Sequence, residues 1–195
     1  SNRVYVFRRS GSTWTEEAQI VTSSSYVGNY DSNDLDGDTL VLGDTSNSQV
    51  LVYTRSGTTW SLTQQIAGSG GAFGLAVAID NGSMIVAAPT TGTFGQNSGT
   101  VYTFENIGGT WTQTQVLYAS DAAANRNFAY ELDLDGDTFV TGTYRSDELG
   151  TFTGNGYVFD RVGGVWTETQ KLFPPGLEAG DNFGSGVAVD GDSIV

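Results

Sequence analysis

Two short acidic segments are the places in this sequence where side chains could bind a cation. Residues 34–38 and 133–137 both read Asp-Leu-Asp-Gly-Asp, with three carboxylates in five residues. Calcium takes such oxygen ligands but needs six to eight of them, so each segment would have to add water. Asp-Gly pairs are also selected in tight turns for their backbone conformation. The pattern therefore favours a hairpin turn that requires no cofactor and holds calcium weakly at most. The candidate metal ligands are Asp34, Asp36, Asp38, Asp133, Asp135 and Asp137.

The composition argues against catalysis. The chain of 195 residues contains no histidine and no cysteine, which excludes a Ser-His-Asp arrangement, a thiol nucleophile and Cys-ligated zinc. A glycosidase needs two carboxylates in a cleft, one of them with a raised pKa. Adjacent acidic residues occur at Glu16-Glu17 and at Asp147-Glu148, and the second pair lies in a predicted loop, where solvated carboxylates are the rule. We predict that the protein is not an enzyme.

The chain is strongly acidic. Eight basic and 22 acidic residues give a formal net charge of −14 at pH 7. This charge repels phosphates and so disfavours nucleic-acid binding. The sequence has no apolar run of roughly 18 residues, the length that crosses a bilayer, so membrane insertion is not expected. Four Trp, nine Tyr and ten Phe residues argue against a disordered chain.

Four similar phrases centred on a tryptophan reveal an internal repeat. Trp14, Trp60, Trp111 and Trp166 are separated by 46, 51 and 55 residues. An alternating apolar run of the VYVF type precedes each tryptophan, and an Asp-Gly or Asn-Gly hairpin signal between two apolar runs follows it. Repeats of roughly 40 to 50 residues with four short strands are typical of β-propellers. We therefore predict an all-β fold, a β-propeller of four four-stranded blades with about 16 strands.

The two ends of the sequence are out of phase with the repeat. The chain enters just before a third strand and stops within a second strand. Residues 183–195 and residues 3–20 are therefore expected to form one blade, within one molecule or between two, because joining them removes exposed strand edges. The alternative is that the four repeats belong to a longer array. The predicted single domain spans 1–195, with repeats at 183–195 plus 1–25, 26–71, 72–125 and 126–182.

The repeat resembles the FG-GAP repeat of the integrin α-subunit propeller and its bacterial relatives. Phe73-Gly74 and Phe183-Gly184 correspond to the FG, and residues 87–89, Ala-Ala-Pro, stand where the GAP belongs. The DGDT hairpin combined with a GG-x-W-T-x-x-Q strand is similar to the secreted bacterial branch. The resemblance implies an extracellular or cell-surface protein, calcium in some blades and ligand binding on one face of the propeller.

The resemblance also implies a calcium loop with oxygen ligands at positions 1, 3, 5, 7 and 9 and a glycine at position 6. Both acidic segments match positions 1 to 5. Thr39 and Thr138 then replace the glycine, and Leu42 and Thr141 stand at position 9. The number of oxygen ligands is therefore too low for a complete loop.

Two long loops on one face of the predicted propeller are the candidates for ligand binding. They span residues 89–99 and 144–156, and the connections between blades add Asp121, Arg126 and Asn127 to the same face. Aromatic, amide and charged groups together suit a sugar or peptide ligand. The candidate ligand-binding residues are Phe94, Gln96, Asn97, Tyr144, Arg145, Asp147, Glu148 and Phe152.

Three functions are compatible with these features. The first is an extracellular, non-enzymatic recognition or adhesion module that binds a glycan or a protein through its loop face. The second is a structural subunit that self-associates through its half-blades into an extracellular fibre or surface layer. The third is a fragment of a larger integrin-like propeller.

Overall fold

The computed structural model describes residues 3–24, 27, 32–146 and 150–195. These residues form sixteen β-strands, and none of them lies in a helix that is long and apolar enough to cross a membrane. The predicted all-β fold is therefore confirmed. The strands are β1 (Arg3–Ser10), β2 (Thr13–Val21), β3 (Asn33–Asp36), β4 (Thr39–Asp44), β5 (Gln49–Ser56), β6 (Thr59–Ala67), β7 (Val77–Asp80), β8 (Ser83–Ala88), β9 (Thr100–Ile107), β10 (Thr110–Leu117), β11 (Glu131–Asp135), β12 (Thr138–Thr143), β13 (Asn155–Val162), β14 (Val165–Leu172), β15 (Val189–Asp190) and β16 (Ser193–Ile194).

Consecutive strands pair into antiparallel sheets. We name the three four-stranded sheets blade 1 (β3–β6), blade 2 (β7–β10) and blade 3 (β11–β14). Strands β1 and β2 form the N-terminal hairpin, and β15 and β16 form the C-terminal hairpin. In the predicted Asp-Gly turns, Gly37 and Gly136 have φ values of 55° and 57°, a region that glycine enters without steric cost. Local turn chemistry thus sets the start of blades 1 and 3.

The first strands of all four units surround a common cavity. Strand β3 contacts β7, β7 contacts β11, and β11 contacts β15. The cavity has a volume of about 360 Å³. It is lined by Asn33, Asp34, Val77, Ala78, Leu132, Asp133, Val187 and Ala188. This arrangement of sheets around an axis is propeller-like.

The third and fourth strands of each unit have two opposite faces, one packed against the preceding unit and the other against the following unit. We call the side that contacts the preceding unit the leading face, and the side that contacts the following unit the trailing face. The leading-face residues are Leu51, Tyr53 and Trp60 in blade 1, Tyr102, Phe104 and Trp111 in blade 2, and Tyr157, Phe159 and Trp166 in blade 3. The trailing-face residues include Val4, Val6, Ala18 and Ile20 in the N-terminal hairpin, Val50, Val52 and Ile66 in blade 1, and Val101 and Leu117 in blade 2.

The repeat tryptophans of blades 2 and 3 are packing residues inside the stack. Trp111 is 6% exposed and Trp166 is 2% exposed, and the ring of Trp166 meets the edge of Phe139 in its own blade at 5.1 Å. Burying these aromatic side chains against the aliphatic trailing face of the preceding unit holds one blade against the next.

The Phe-Gly pair at the start of one blade lies directly over a small residue in the blade before it. A side chain on Gly43 would collide with the backbone of Gly74, and a side chain on Gly142 would collide with that of Gly184. Ala87 and Ala129 occupy the corresponding positions between blades 2 and 3 and are buried in one cluster. The second residue of the Phe-Gly pair and the residue that faces it in the preceding blade are small because their backbones approach closely across the interface between blades.

The two terminal hairpins do not join in one sheet, which corrects the expectation that residues 183–195 and 3–20 share a blade within one chain. The N-terminal hairpin and the C-terminal hairpin are separate two-stranded sheets. The N-terminal hairpin is seated on blade 1 through Val6 and Ile20. The C-terminal hairpin is seated on blade 3, where Val189 packs against Val140 and Val158. Each hairpin is held by its neighbour in sequence.

Candidate functional site

The first candidate loop is tied along its length to the connection between blades 2 and 3. The backbone N–H of Asn125 donates to the carbonyl of Gln96 at 2.6 Å, and that of Asn127 donates to the carbonyl of Asn97 at 2.8 Å. Gly99 then forms a parallel bridge with Phe128. Residues 89–99 and 118–130 therefore form one ordered layer at the end of the blades.

The connection 118–130 also contacts the second candidate loop. The guanidinium of Arg126 donates to the hydroxyl of Ser146 at 2.5 Å. The rings of Tyr130 and Tyr144 meet edge to face at 4.8 Å. The connection thus lies between the two loops and links them.

The second loop repeats the backbone pattern of the first. The N–H of Asn182 donates to the carbonyl of Phe152 at 3.0 Å, and the N–H of Phe183 donates to that of Thr153 at 2.9 Å. Phe152 holds the position that Asn97 has in the first loop, and both have a left-handed backbone, with φ of 56° and 55°. We call the surface formed by residues 89–99, 118–130, 144–146 and 150–154 the loop face.

The loop face presents two exposed aromatic side chains. Phe94 is 51% exposed and Phe152 is 44% exposed. The rings of Phe94 and Tyr118 meet edge to face with their centres 5.0 Å apart, and the guanidinium of Arg145 lies 5.4 Å from the ring centre of Tyr144. Exposed aromatic surface held on a fixed backbone can stack on a sugar ring or on an apolar side chain of a partner.

The remaining candidates divide into those that border this surface and those that the structure does not describe. Gln96 and Arg145 are exposed, while Asn97 and Tyr144 are half-buried. Asp147 and Glu148 lie outside the described residues. The sequence did not single out Tyr118 and Tyr130, which flank the connection between blades; aromatic residues at both ends of that segment are the signal that could have found them.

Asp121 is an internal anchor of the loop face. Its carboxylate accepts hydrogen bonds from the Tyr157 hydroxyl at 2.8 Å and from the Lys171 ammonium. Burial acts to raise the pKa of Asp121, but these hydrogen bonds and the charge of Lys171 outweigh it and lower the pKa. Burial and the nearby Asp121 charge raise the pKa of Tyr157. In blade 2, Ser69 holds Tyr102 in the same way, so the role is structural.

At the opposite end of the blades, the first aspartate of each acidic segment accepts a backbone N–H from the next unit. Asp34 accepts the N–H of Ile79 at 2.8 Å, and Asp133 accepts that of Val189 at 2.8 Å. Burial raises the pKa of Asp34, the hydrogen bonds from the N–H groups of Ile79 and Leu35 oppose this, and the charge of Asp133 adds to the rise. One oxygen of each carboxylate is therefore already engaged between blades.

The second aspartate of each segment, two residues further along the chain, makes the same kind of contact with the next unit. Asp36 accepts the N–H of Asn81 at 3.0 Å, and Asp135 accepts that of Gly191 at 2.7 Å. Blade 2 keeps the contact although it lacks the complete segment, because Asp80 accepts the N–H of Gly136 at 2.7 Å.

The third aspartate of each segment pairs with an arginine of the third strand in the same blade. Arg55 lies 2.5 Å from Asp38, and Arg161 lies 2.6 Å from Asp137. Arg161 also contacts Glu105 of the preceding blade at 2.6 Å. In blade 2, Gly82 stands at the position of the aspartate and Asn106 at the position of the arginine. The two residues of the ion pair are therefore either both present in a blade or both absent.

The six aspartates named from the sequence thus lie in two separate hairpins, and each has a protein partner. Among the described residues, no three or more carboxylate, histidine or cysteine side chains are grouped so that they could hold a metal ion. Weak calcium binding at these hairpins stays a prediction.

Comparison with known families identifies the repeat. The FG-GAP repeat model matches residues 60–104, 111–159 and 166–195, which together make up more than half of the chain. The chain therefore belongs to the FG-GAP repeat family, as the sequence resemblance indicated. Each match begins at one of the repeat tryptophans, so the family unit starts on the fourth strand of one blade and runs into the next. No curated protein sequence matches the chain.

Proposed function

We propose that the protein is a non-enzymatic recognition or adhesion module that binds a glycan or a protein through its loop face. The observation that carries the proposal is the pair Phe94 and Phe152, two exposed phenylalanines on loops whose backbones are hydrogen-bonded to the adjacent connections. The exposed phenylalanine rings offer apolar area to a partner, and a fixed backbone lowers the entropy lost on binding.

Family membership supports an extracellular or cell-surface location. FG-GAP repeats are typical of proteins that act there. The net charge of −14 favours neutral or basic ligands over acidic ones and argues against nucleic acid as a partner.

Retention on an array of neutral oligosaccharides and selection from a phage-displayed peptide library test this proposal. We expect the chain to be retained by one of the two probes, and Phe94→Ala to reduce retention at least five-fold. Leu62→Ala is the matched control, because Leu62 is 43% exposed on the outer strand of blade 1, away from the loops. Retention by neither probe, or equal loss in both variants, would overturn the proposal.

The same proposal includes a propeller of four blades, although the two terminal hairpins, which would be the halves of the fourth, lie in separate sheets. The four first strands around one cavity support this count. A longer integrin-like array of FG-GAP repeats is the competing architecture.

Self-association is the second candidate function. It is favoured by the leading face of the N-terminal hairpin, where Tyr5, Phe7 and Trp14 are 47%, 54% and 63% exposed. Such a structural subunit would build a fibre or layer from head-to-tail contacts.

The proposal includes calcium only as an ion that the two Asp-Gly hairpins at residues 34–38 and 133–137 bind weakly. The carboxylates of Asp34, Asp36, Asp133 and Asp135 keep one oxygen each for the neighbouring blade, and those of Asp38 and Asp137 are neutralised by arginine. Any bound ion would have to complete its shell with water.

A further inference from the structure

A fully buried asparagine of blade 3 has a side-chain amide that no protein group satisfies. Asn155, the first residue of β13, is 0% exposed. Neither its amide oxygen nor its amide nitrogen forms a hydrogen bond with any residue that the structure describes. Burying an amide without partners costs free energy, because both groups give up their hydrogen bonds to water. Buried polar groups that lack a protein partner are paired with internal water in most folded proteins.

The equivalent residues of blades 1 and 2 are paired with protein groups. The first residue of the third strand is Gln49 in blade 1 and Thr100 in blade 2. Gln49 donates from Nε2 to the carboxylate of Asp44 at 2.9 Å, and the hydroxyl of Thr100 lies 2.5 Å from that of Thr91. Asn155 therefore holds a position at which the other two blades make a direct contact between side chains.

In blade 3 the hydroxyl groups at this position are hydrogen-bonded to Arg126. Ser146 corresponds to Thr91, because the carbonyls of both residues accept the equivalent backbone N–H from the end of their own loop. The Ser146 hydroxyl, however, accepts a hydrogen bond from the guanidinium of Arg126 at 2.5 Å. Thr143, which pairs with Asn155 in the sheet, donates its hydroxyl to the carbonyl of Arg126.

A second buried asparagine lies on the connection between blades 2 and 3. Asn127 is 6% exposed, and its amide nitrogen donates to the carbonyl of Pro89 at 3.5 Å. Its amide oxygen has no partner among the described residues. Asn127 directly follows Arg126, whose carbonyl accepts the hydroxyl of Thr143, the sheet neighbour of Asn155. The two amides are therefore placed on either side of one contact between the connection and blade 3.

The surroundings of the two amides define the class of ligand. Thr143, Ser146 and Thr153, which flank Asn155 in the sheet and in the second loop, are each 0% exposed, so an oligosaccharide or a peptide cannot enter. The groups to be satisfied are one donor, the amide nitrogen of Asn155, and two acceptors, the amide oxygens of Asn155 and Asn127. A metal ion would bind oxygen atoms only, whereas water both donates and accepts hydrogen bonds.

From these observations we propose that Asn155 and Asn127 bind internal water beneath the loop face, where the connection 118–130 meets blade 3. The water molecules accept a hydrogen bond from the amide nitrogen of Asn155 and donate to the amide oxygens of both asparagines. Buried waters typically make about three such bonds and are costly to remove. In blade 3 this water takes the place of the direct side-chain contact that blades 1 and 2 make.

The hydration site anchors the second loop to the connection between blades. Residues 150–154 lead directly into Asn155, whereas Asn127 belongs to the connection. The first loop has a direct anchor instead, the contact between Thr91 and Thr100. The inference goes beyond the proposed function and does not depend on ligand binding by the loop face.

A crystal structure of the 195-residue chain, at a resolution that shows ordered water, tests the site directly. We expect electron density for water within about 3.2 Å of both amide atoms of Asn155 and of the amide oxygen of Asn127. Amides that are hydrogen-bonded directly to protein groups, or amides with no water beside them, would overturn the proposal.

Thermal unfolding tests the energetic role of the water. Asn155→Leu removes the groups that hold the water and should lower Tm by about 3 °C or more. Asn155→Thr keeps a hydroxyl and has the residue type of blade 2 at this position, so it should remain closer to the wild type. An unpaired amide in a dry site would give the opposite result, because its replacement by leucine would leave Tm unchanged or raise it.

Hydrogen–deuterium exchange separates the loss of this anchor from a general loss of packing. In Asn155→Leu, exchange should become faster in residues 150–154 of the second loop and stay unchanged in residues 91–98 of the first. Thr100→Val is the matched control, since it removes the direct contact with Thr91 and should affect the first loop alone. Equal acceleration of both loops in Asn155→Leu would contradict the assignment of the water as the anchor of the second loop.

Discussion

Replacing Gln115 with alanine should destabilise the stack of blades without disturbing either blade internally. The side-chain amide of Gln115 makes two hydrogen bonds across the interface, one accepted from the N–H and one donated to the carbonyl of Trp166. A hydrogen bond of this kind contributes about 1 kcal/mol, so losing both should lower the free energy of unfolding by about 2 kcal/mol. For a chain of this length, that is a fall in Tm of roughly 4 to 8 °C.

The control for this experiment lies two residues earlier on the same strand. Gln113 is exposed and makes no side-chain hydrogen bond to the described residues, so Gln113→Ala should change stability by less than about 0.5 kcal/mol. Gln115→Glu should destabilise at least as much as Gln115→Ala, because its second carboxylate oxygen faces the carbonyl oxygen of Trp166 and two acceptors repel each other. Urea unfolding followed by tryptophan fluorescence measures all three. Equal midpoints for Gln115→Ala and Gln113→Ala would refute the inter-blade role of the glutamine.

Three further perturbations follow from the packing and the charges. Gly142→Ala should lower the free energy of unfolding in urea by about 1 to 3 kcal/mol, because the new methyl group meets the backbone of Gly184. Gly186→Ala is the control and should be nearly neutral, because Gly186 has open space around it. Comparable losses in the two variants would contradict the close approach of Gly142 to Gly184. The pKa of Asp121 is lower in the folded protein than in the unfolded chain, so its carboxylate stabilises the fold at pH values above the unfolded pKa. This stabilisation is lost as the pH falls through the folded pKa. Wild-type stability should therefore decline below about pH 4, and Asp121→Asn should flatten that decline. An unchanged slope in the variant would show that the carboxylate is not the source. Adding 1 mM calcium should raise Tm by no more than about 2 °C if the acidic hairpins hold calcium weakly, and a shift above about 8 °C in differential scanning fluorimetry would reveal a tight site.

Much of the fold follows from signals that act over a few residues. Asp-Gly turns, alternating apolar runs and the recurring tryptophan predict hairpins and a repeat, since each depends only on local backbone conformation or on burial of one strand face. The pairing of Asp38 with Arg55 could also have been predicted, because blade 2 loses both partners together.

The contacts between blades could not be predicted from these local sequence signals. Asp34 and Asp36 resemble metal ligands in sequence, yet their carboxylates meet N–H groups 45 residues away in the next blade. That distance depends on how two sheets are stacked, which no spacing within one repeat reveals. The separation of the terminal hairpins has the same origin, since each is held by apolar contacts with an adjacent blade.

The candidate site was predicted in part. The long loops and their exposed aromatic residues could be named from the sequence, because insertions between strands stand out against the repeat. Their attachment to the connections between blades, as in the bond from Asn125 to Gln96, involves backbone atoms that carry no sequence signal.

Hydrogen–deuterium exchange with the best-retained oligosaccharide or peptide tests the central claim most directly, since it reports which backbone amides the ligand covers. We expect slower exchange within residues 91–99 and 118–127 of the loop face, and unchanged exchange in the turns at residues 37–38 and 136–137 at the opposite end. Protection at those turns with none on the loop face would contradict the assignment of the loop face as the recognition surface.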